Sequence, residues 1–240
     1  MSILIDTHSH ILPGIDDGSP SVEQSIALLR MEAEQGIQKV IATPHFYPRH
    51  DSPERFLERR ARAEEKLREE MEKHAGLPEL YVGAEVYYFN RMYESDMISG
   101  LTIGNSQCIL VEMPHAPWTE SMYRDLQDIY VKSGLVPIVA HVDRYVGRFR
   151  TFGIPERLAE LPVLVQANAE FFLNRFTSSM ALRMLKQDRI HLLGSDCHNL
   201  DSRKPNLKSA ADRIAKRLGE ETIARVNAYG QDLLNGSVVL

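Results

Sequence analysis

Histidine and carboxylate residues recur at the ends of short apolar segments along this chain. The first case is the run Ile3-Leu4-Ile5-Asp6-Thr7-His8-Ser9-His10. If this run is a strand, His8 and His10 lie on the same side of it, because strand side chains alternate between faces. Two imidazoles at one strand end are well placed to share a metal ion. Asp17, in the acidic turn that follows, is a further candidate ligand.

Five later apolar segments also end in residues that can bind metals. In chain order these residues are His45, Glu85, Glu112, His141, and Asp196 with His198. A single histidine or glutamate in such a place more often anchors a loop through a hydrogen bond. Six of the seven predicted strands, however, end in a residue that can bind a metal. Because the carboxyl ends of parallel strands share one face, this pattern favours a metal centre.

The charge of these residues predicts several metal ions and an anionic substrate. The carboxylates of Asp17, Glu85, Glu112 and Asp196 bring a charge of about −4, and three divalent cations bring about +6. The remaining charge of roughly +2 matches a phosphate dianion. Arg144 and Arg203 closely follow the last two ligand segments, and a guanidinium fork suits phosphate oxygens.

These residues require a parallel sheet to bring them together. Seven apolar segments alternate with helical patterns, which predicts an α/β fold with a closed or nearly closed barrel. We predict strands over 3–8, 39–43, 80–84, 108–111, 136–140, 163–167 and 190–194. We predict a first helix with Ser19 as its N-cap and Pro20 at its first position, and a second over 53–74 that starts at Ser52-Pro53. Further helices are predicted over 91–98, 119–132, 155–160, 178–186, 207–218 and 220–235. No linker divides the chain, so residues 1–240 are expected to form one domain.

The composition narrows the class of protein. The 240 residues are 43% hydrophobic and 25% charged, as in a globular protein with a sizeable core. The net charge of −5 gives no basic surface for nucleic acid. Two cysteines predict a reducing compartment rather than a disulfide framework. No apolar run reaches 18 residues, so we expect a cytoplasmic protein without direct membrane insertion.

The motifs together resemble a known family. The sequence from Asp6 to Gly18 is similar to the opening motif of the polymerase-and-histidinol-phosphatase (PHP) superfamily. More narrowly, the chain resembles the bacterial manganese-dependent protein-tyrosine phosphatases of capsular and exopolysaccharide synthesis. The matching segments, which span the chain, also include Ala42-Thr43-Pro44-His45, Gly83-Ala84-Glu85-Val86-Tyr87-Tyr88, Val111-Glu112-Met113-Pro114, Ala140-His141-Val142-Asp143-Arg144-Tyr145 and the run from Gly194 to Arg203.

The resemblance implies a distorted seven-stranded β/α barrel with three metal ions, manganese first and iron or zinc as alternatives. It implies hydrolysis of phosphotyrosine by a metal-activated hydroxide, with Arg144 and Arg203 binding the phosphate. One metal would be held by His8, His10, Glu85 and Asp196. A second would be held by Glu85, Glu112 and His141, and a third by Asp17, His45 and His198. The implied partner is the tyrosine-rich tail of a membrane-associated bacterial tyrosine kinase.

Other functions remain open at this point. Cys197 and Arg203 fit the Cys-x5-Arg skeleton of cysteine-dependent tyrosine phosphatases, although the segment lacks the glycines of such a phosphate loop. Within the same fold, the substrate could be histidinol phosphate, another small phosphomonoester or a nucleic-acid phosphodiester. A metal-binding scaffold without catalytic activity is a further alternative. The oligomeric state does not follow from the sequence.

Overall fold

The computed structural model describes residues 4–146 and 153–240. The structure is a mixed α/β fold in which parallel strands form two sheets and the larger sheet curls as a half-barrel. The nine strands are β1 (Ile5–Ser9), β2 (Lys39–Ala42), β3 (His45–Phe46), β4 (Glu79–Val82), β5 (Glu85–Tyr87), β6 (Cys108–Glu112), β7 (Val136–Val139), β8 (Leu164–Asn168) and β9 (Leu192–Gly194).

The strands are ordered β1-β2-β4 in the smaller sheet and β3-β5-β6-β7-β8-β9 in the larger one. The predicted strands 39–43 and 80–84 correspond to β2 and β4 of the smaller sheet. After breaks at Thr43-Pro44 and Gly83-Ala84, the chain continues into β3 and β5 of the larger sheet, two short strands that the sequence does not predict. Pro44 has no N–H to continue a ladder. The backbone at Gly83 lies close to Ile103. A Cβ at this glycine would come within 2.8 Å of the Ile103 side chain, so a larger residue would not fit here.

The first and last strands also lie together. Ser9 and Cys197 form an isolated parallel bridge, and the N–H of Asp196 donates to the carbonyl of His8 at 2.8 Å. The Thr7 hydroxyl donates to the carbonyl of Leu193 at 2.9 Å. These bonds bring the carboxyl end of β9 beside the carboxyl end of β1.

Helices cover the strands. They are α1 (Val22–Glu34), α2 (Pro53–Met71), α3 (Glu120–Ser133), α4 (Ile154–Leu158), α5 (Ala169–Leu173), α6 (Ser178–Lys186), α7 (Leu207–Leu218) and α8 (Glu220–Asn235). Ser52 caps α2 and Pro53 opens it, as the sequence predicts. The predicted cap of α1 at Ser19 is wrong, because the Ser21 side chain accepts from the N–H of Gln24 instead.

Two other predicted elements differ. The helix predicted over 91–98 is replaced by two short 3-10 helices, Met92–Glu94 and Asp96–Leu101. The short helix α5 was not predicted, since its five residues follow β8 directly. In the described ranges, no helix combines the length and the apolar character needed to cross a membrane.

Candidate metal centre

All nine predicted ligand residues lie at the carboxyl edge of the strands. Eight of them are buried or nearly so, and Asp17 is 67% exposed on its side chain. The members are His8, His10, Asp17, His45, Glu85, Glu112, His141, Asp196 and His198. The parallel topology therefore assembles side chains that are up to 190 positions apart in the sequence.

His8, His10 and Glu85 form the most compact group. The two Nε2 atoms are 3.1 Å apart, and each is 3.2 Å from Oε2 of Glu85. Oδ1 of Asp196 is 3.7 Å from His8 and 3.4 Å from His10. Two ligand atoms at about 2.1 Å from one ion lie roughly 3–3.5 Å apart, so these four side chains have the spacing of one coordination sphere.

Glu85 also faces a second group through both of its oxygens. Oε1 is 2.6 Å from Nε2 of His141, which in turn is 3.8 Å from Oε1 of Glu112. Oε2 is 3.1 Å from Nδ1 of His45. The three side chains His45, Glu85 and Glu112 place ligand atoms close enough to share an ion, so His45 joins the position predicted for Glu85, Glu112 and His141.

A third group lies toward the solvent. Oδ1 of Asp17 is 3.6 Å from Nε2 of His45 and 3.5 Å from Nε2 of His198. His10 belongs to the same group, with its ring centroid 3.9 Å from that of His198. The predicted set of Asp17, His45 and His198 is thus brought together, and His10 is an additional neighbour.

The donor atoms of the cluster fit metal ions. Two of its buried polar atoms, Glu112 Oε2 and His198 Nε2, have no hydrogen-bond partner among the described residues. Such atoms are costly to bury unless something binds them. Mixed imidazole and carboxylate donors suit manganese, iron or zinc.

The pKa values of Glu112, His141 and His198 support metal binding, whereas in His8 and His10 nearby carboxylates outweigh burial and raise the pKa. Burial raises the pKa of Glu112 to about 7, and the nearby charge of Glu85 adds to this effect. Burial lowers the pKa of His141 to about 4, and that of His198 to about 4 as well. Neutral imidazoles have a free lone pair for a cation, whereas adjacent carboxylates repel one another without one.

Asp16 orients His10, one of the candidate ligands, a role that the sequence did not reveal. Its Oδ2 accepts from Nδ1 of His10 at 2.7 Å and from the N–H of His45 at 3.0 Å. A proton on Nδ1 leaves Nε2 of His10 free to face the cluster. The carboxylate also accepts from the N–H of Gly18, and burial alone would raise its pKa, but the His10 hydrogen bond and charge lower it to about 2.

Two amides of β8 link ligands from three other strands. Oε1 of Gln166 accepts from the N–H of His141 at 2.5 Å and is 3.4 Å from Nδ1 of His8. Nε2 of Gln166 donates to Oδ1 of Asn168 at 3.1 Å, and Nδ2 of Asn168 donates to Oδ2 of Asp196 at 2.9 Å. The one predicted strand without a candidate ligand therefore supports the candidate ligands of its neighbours.

The backbone is strained at two ligands and tight at one glycine. His141 and Asp196 have positive φ values of 32° and 53°, a region that side chains other than glycine rarely adopt. Strain of this kind persists where the surroundings fix it, which is common at functional sites. A Cβ at Gly18 would lie 2.2 Å from the carbonyl oxygen of His10, so only glycine fits beside this ligand.

The two predicted phosphate-binding arginines both contact Asp196. Nη2 of Arg144 is 2.6 Å from Oδ2, and Nη2 of Arg203 is 2.8 Å from Oδ1. Arg144 also approaches Oε1 of Glu112 at 3.4 Å. The side chain of Arg144 is 27% exposed and that of Arg203 is 38% exposed, so both guanidinium groups reach the mouth of the cluster.

Cys197 does not lie with these groups. Its side chain is fully buried, with Sγ 4.0 Å from Oε1 of Glu32, and points away from the cluster of ligands. Burial raises the pKa of this thiol well above its ordinary value, and the charges of Glu32 and Asp6 add to the effect. A nucleophilic cysteine needs an accessible thiolate, so the Cys-x5-Arg alternative lacks structural support.

The fold and this cluster define the class of protein: a parallel α/β protein with a buried histidine and carboxylate cluster at its strand ends. Residues 4–233 match the model of the family described as capsular polysaccharide synthesis, CpsB/CapC. The chain belongs to this family.

Named relatives agree with this assignment. The tyrosine-protein phosphatase CpsB of Streptococcus pneumoniae is 29% identical over 231 residues, which cover 90% of this chain and 91% of the relative. The tyrosine-protein phosphatase YwqE of Bacillus subtilis is 28% identical over 98% of this chain and 93% of its own length. A structure from a crystallographic study of YwqE and CpsB, unique metal-dependent tyrosine phosphatases, superposes with a TM-score of 0.86 at 24% identity. It covers 99% of this chain and 96% of the other.

Proposed function

We propose that this protein is a metal-dependent protein-tyrosine phosphatase. The observation that carries the proposal is the convergence of nine ligand-type side chains with two arginines on one strand edge, in a chain of the CpsB/CapC family. The relatives named as tyrosine phosphatases favour phosphotyrosine over histidinol phosphate and other small phosphomonoesters. The net charge of −5 argues against a nucleic-acid substrate.

The proposed centre holds three divalent metals, with manganese as the first choice. His8, His10, Glu85 and Asp196 would hold one ion, and Glu85, Glu112 and His141 a second. Asp17, His45 and His198 would hold the third. When bound, the metals lower the pKa of water and neutralise phosphoryl oxygens. The spacing of the first group and the unpaired buried donors support this arrangement.

The chain's own residues bind and orient the substrate in this proposal. Arg144 and Arg203 offer guanidinium N–H groups to the phosphate oxygens and stabilise the charge that develops on them. Asp16 and Gln166 keep His10 and His8 with Nε2 free. Tyrosine is a poor leaving group, since its pKa as a free phenol is about 10, so positive charge near its oxygen is needed.

The proposal also covers the domain organisation, the physiological substrate and the compartment. We propose one domain over residues 1–240, with the seven predicted strands as a distorted barrel joined where β1 meets β9. The physiological substrate in this proposal is the tyrosine-rich tail of a membrane-associated kinase of polysaccharide export, and the compartment is the cytoplasm. The family description of capsular polysaccharide synthesis supports this setting.

Metal analysis and phosphatase assays test the proposal together. Protein purified without added metal would be analysed for bound ions, then assayed on phosphotyrosine and histidinol phosphate with each metal restored. We expect phosphotyrosine hydrolysis that is lost in excess chelator and restored best by manganese. His10→Ala and Asp196→Ala should lose metal and activity together, because each removes a donor from the most compact group.

The variant Arg203→Ala separates substrate binding from metal binding. Arg203→Ala should lose most activity while its metal content stays near that of the wild type, because this guanidinium is the more exposed one. Equal loss of metal in Arg203→Ala would show that its proposed role is wrong. Full activity in excess chelator would overturn the metal-dependent mechanism.

A further inference from the structure

An aromatic cavity lies next to the metal centre and has no role in the chemistry described so far. Its volume is about 580 Å³. We call it the aromatic cavity; its lining residues are Tyr47, Pro48, Arg49, His50, Tyr87, Tyr88, Phe89, Asn90, Pro114 and Met122. Sites that bind small groups are concave and mostly apolar, with a few polar groups, and this cavity has that character.

The aromatic cavity adjoins the site of chemistry. A second cavity of about 470 Å³ is lined by the predicted ligands Asp17 and His45 and shares Tyr47 and His50 with the aromatic cavity. The ring of Tyr47 stacks on the ring of His45 at 5.1 Å and lies 5.7 Å from the ring of Tyr87. Tyr47 is therefore the wall between the two spaces.

The lining of the aromatic cavity indicates what it binds. Tyr87, Phe89 and Met122 are only partly buried, so apolar surface faces the space. Tyr88 contributes its ring, because its hydroxyl already donates to Oδ2 of Asp125 at 2.5 Å. Arg49 adds a positive charge, and none of the described lining residues carries a carboxylate. Aromatic and methionine walls favour an aromatic guest through ring and sulfur contacts.

The spacing suits a side chain that belongs to the substrate itself. Alternate residues of an extended peptide are roughly 7 Å apart and point to the same side. The ring-to-ring steps from His45 to Tyr47 and from Tyr47 to Tyr87 are 5.1 Å and 5.7 Å, so together they span at most about 11 Å, the length of three to four residues of an extended peptide. A residue near the phosphotyrosine in sequence can therefore reach the cavity while the phosphate lies at the metals.

We infer that the aromatic cavity binds an aromatic side chain that flanks the phosphotyrosine in a peptide substrate. This inference rests on the proposed phosphatase function and adds a specificity site to it. Peptides with a second aromatic residue close to the phosphotyrosine are then preferred over peptides with alanine in that place. Contacts of this kind are made equally before and during the reaction, so they lower KM and leave kcat unchanged.

A peptide series tests the inference. Manganese-loaded enzyme would be assayed on phosphotyrosine peptides in which phenylalanine is moved through the three positions on each side, with alanine elsewhere. We expect one position where phenylalanine lowers KM roughly fivefold to tenfold, the effect of burying about half of an aromatic side chain. A KM that is the same for all peptides would overturn the inference and leave the phosphatase function standing. Absence of hydrolysis for every peptide would overturn both.

Three variants locate the effect. Phe89→Ala removes part of the wall, and Asn90→Trp fills the space from an exposed position; in each, the KM ratio between alanine and phenylalanine peptides should fall toward one. Phe176→Ala is the matched control, because Phe176 is 78% exposed outside the cavity, and it should keep the wild-type ratio. An unchanged ratio in both cavity variants would contradict the assignment. The assignment would also be contradicted if KM were the same for all peptides and Phe89→Ala dissociated a dimer. A second copy of this chain would then occupy the cavity.

Discussion

Gln166→Leu is the substitution that most directly tests how the ligands are held. The Gln166 side chain is fully buried, and its Oε1 satisfies the N–H of His141 at 2.5 Å. Leucine has a similar size but no polar atom, so it leaves this N–H and the Oδ1 of Asn168 without their partner. A buried group that loses its hydrogen bond costs about 1–3 kcal/mol.

We expect two separate consequences of Gln166→Leu. The metal-free fold should lose roughly 2–3 kcal/mol, which lowers Tm by roughly 4–12 °C for a chain of this size. Metal affinity should fall roughly tenfold to a hundredfold, as for other groups that orient metal ligands, because His8 and Asp196 lose their link through the two amides. Thermal unfolding of the metal-free protein measures the first effect, and titration against a competing chelator measures the second.

Two comparison variants make the result specific. Gln127→Leu makes the same chemical change at an exposed position on α3 and should alter neither quantity. Gln166→Glu keeps an oxygen for His141 and His8 but places a second oxygen against Oδ1 of Asn168, so it should still weaken metal binding. Wild-type metal affinity in Gln166→Leu, together with a lowered Tm, would show that the glutamine serves the fold alone and would refute the positioning role.

Three further outcomes follow from the site. Gly194→Ala should lower Tm by roughly 2–12 °C, because its Cβ would lie 2.5 Å from Cβ of His8 and overpacking costs about 1–3 kcal/mol; an unchanged Tm would contradict the close approach of β9 to β1. Cys197→Ala should keep its metal-dependent activity, as measured with phosphotyrosine, and a complete loss would revive the cysteine mechanism. Because burial raises the pKa of Glu112 to about 7, this carboxyl group must release a proton to bind metal below that pH. Metal affinity should therefore fall from pH 8 to pH 6, more steeply in the wild type than in Glu112→Gln, which calorimetry in several buffers would measure.

The clustering of the candidate ligands could be predicted from the sequence because their positions depend on a simple rule. In a parallel sheet every strand ends at the same edge, so His45, Glu112 and Asp196 meet without any knowledge of the contacts between them. Helices with clear sequence patterns could be predicted equally well, since α6, α7 and α8 have the predicted bounds. Both results depend on local pattern and topology alone.

The residues that support the candidate ligands could not be predicted, because their contacts depend on the three-dimensional fold and not on a local sequence pattern. Asp16 and Asp17 are adjacent acids, and only the fold decides that Asp16 binds Nδ1 of His10 while Asp17 faces His45 and His198. The interruptions at Thr43-Pro44 and Gly83-Ala84 arise because each strand pairs in one sheet before the break and in the other sheet after it. The strand of Gln166 is the predicted strand without a candidate ligand, but the sequence does not show that Oε1 of this side chain contacts the N–H of His141 and Nδ1 of His8, which belong to other strand ends.

Asp196 contacts both the candidate metal ligands and the two arginines that are proposed to bind phosphate. Its Oδ1 faces His8, His10 and the guanidinium of Arg203, while its Oδ2 is held by Arg144 and Asn168. A carboxylate bound on both oxygens has little freedom to turn, so Asp196 and Arg144 are fixed relative to each other. Arg203 shares the oxygen that faces the histidines, and its greater exposure lets it turn toward a phosphate without disturbing Oδ2. Metal affinity should therefore depend on Arg144 more than on Arg203, although both guanidinium groups are proposed to bind the same phosphate.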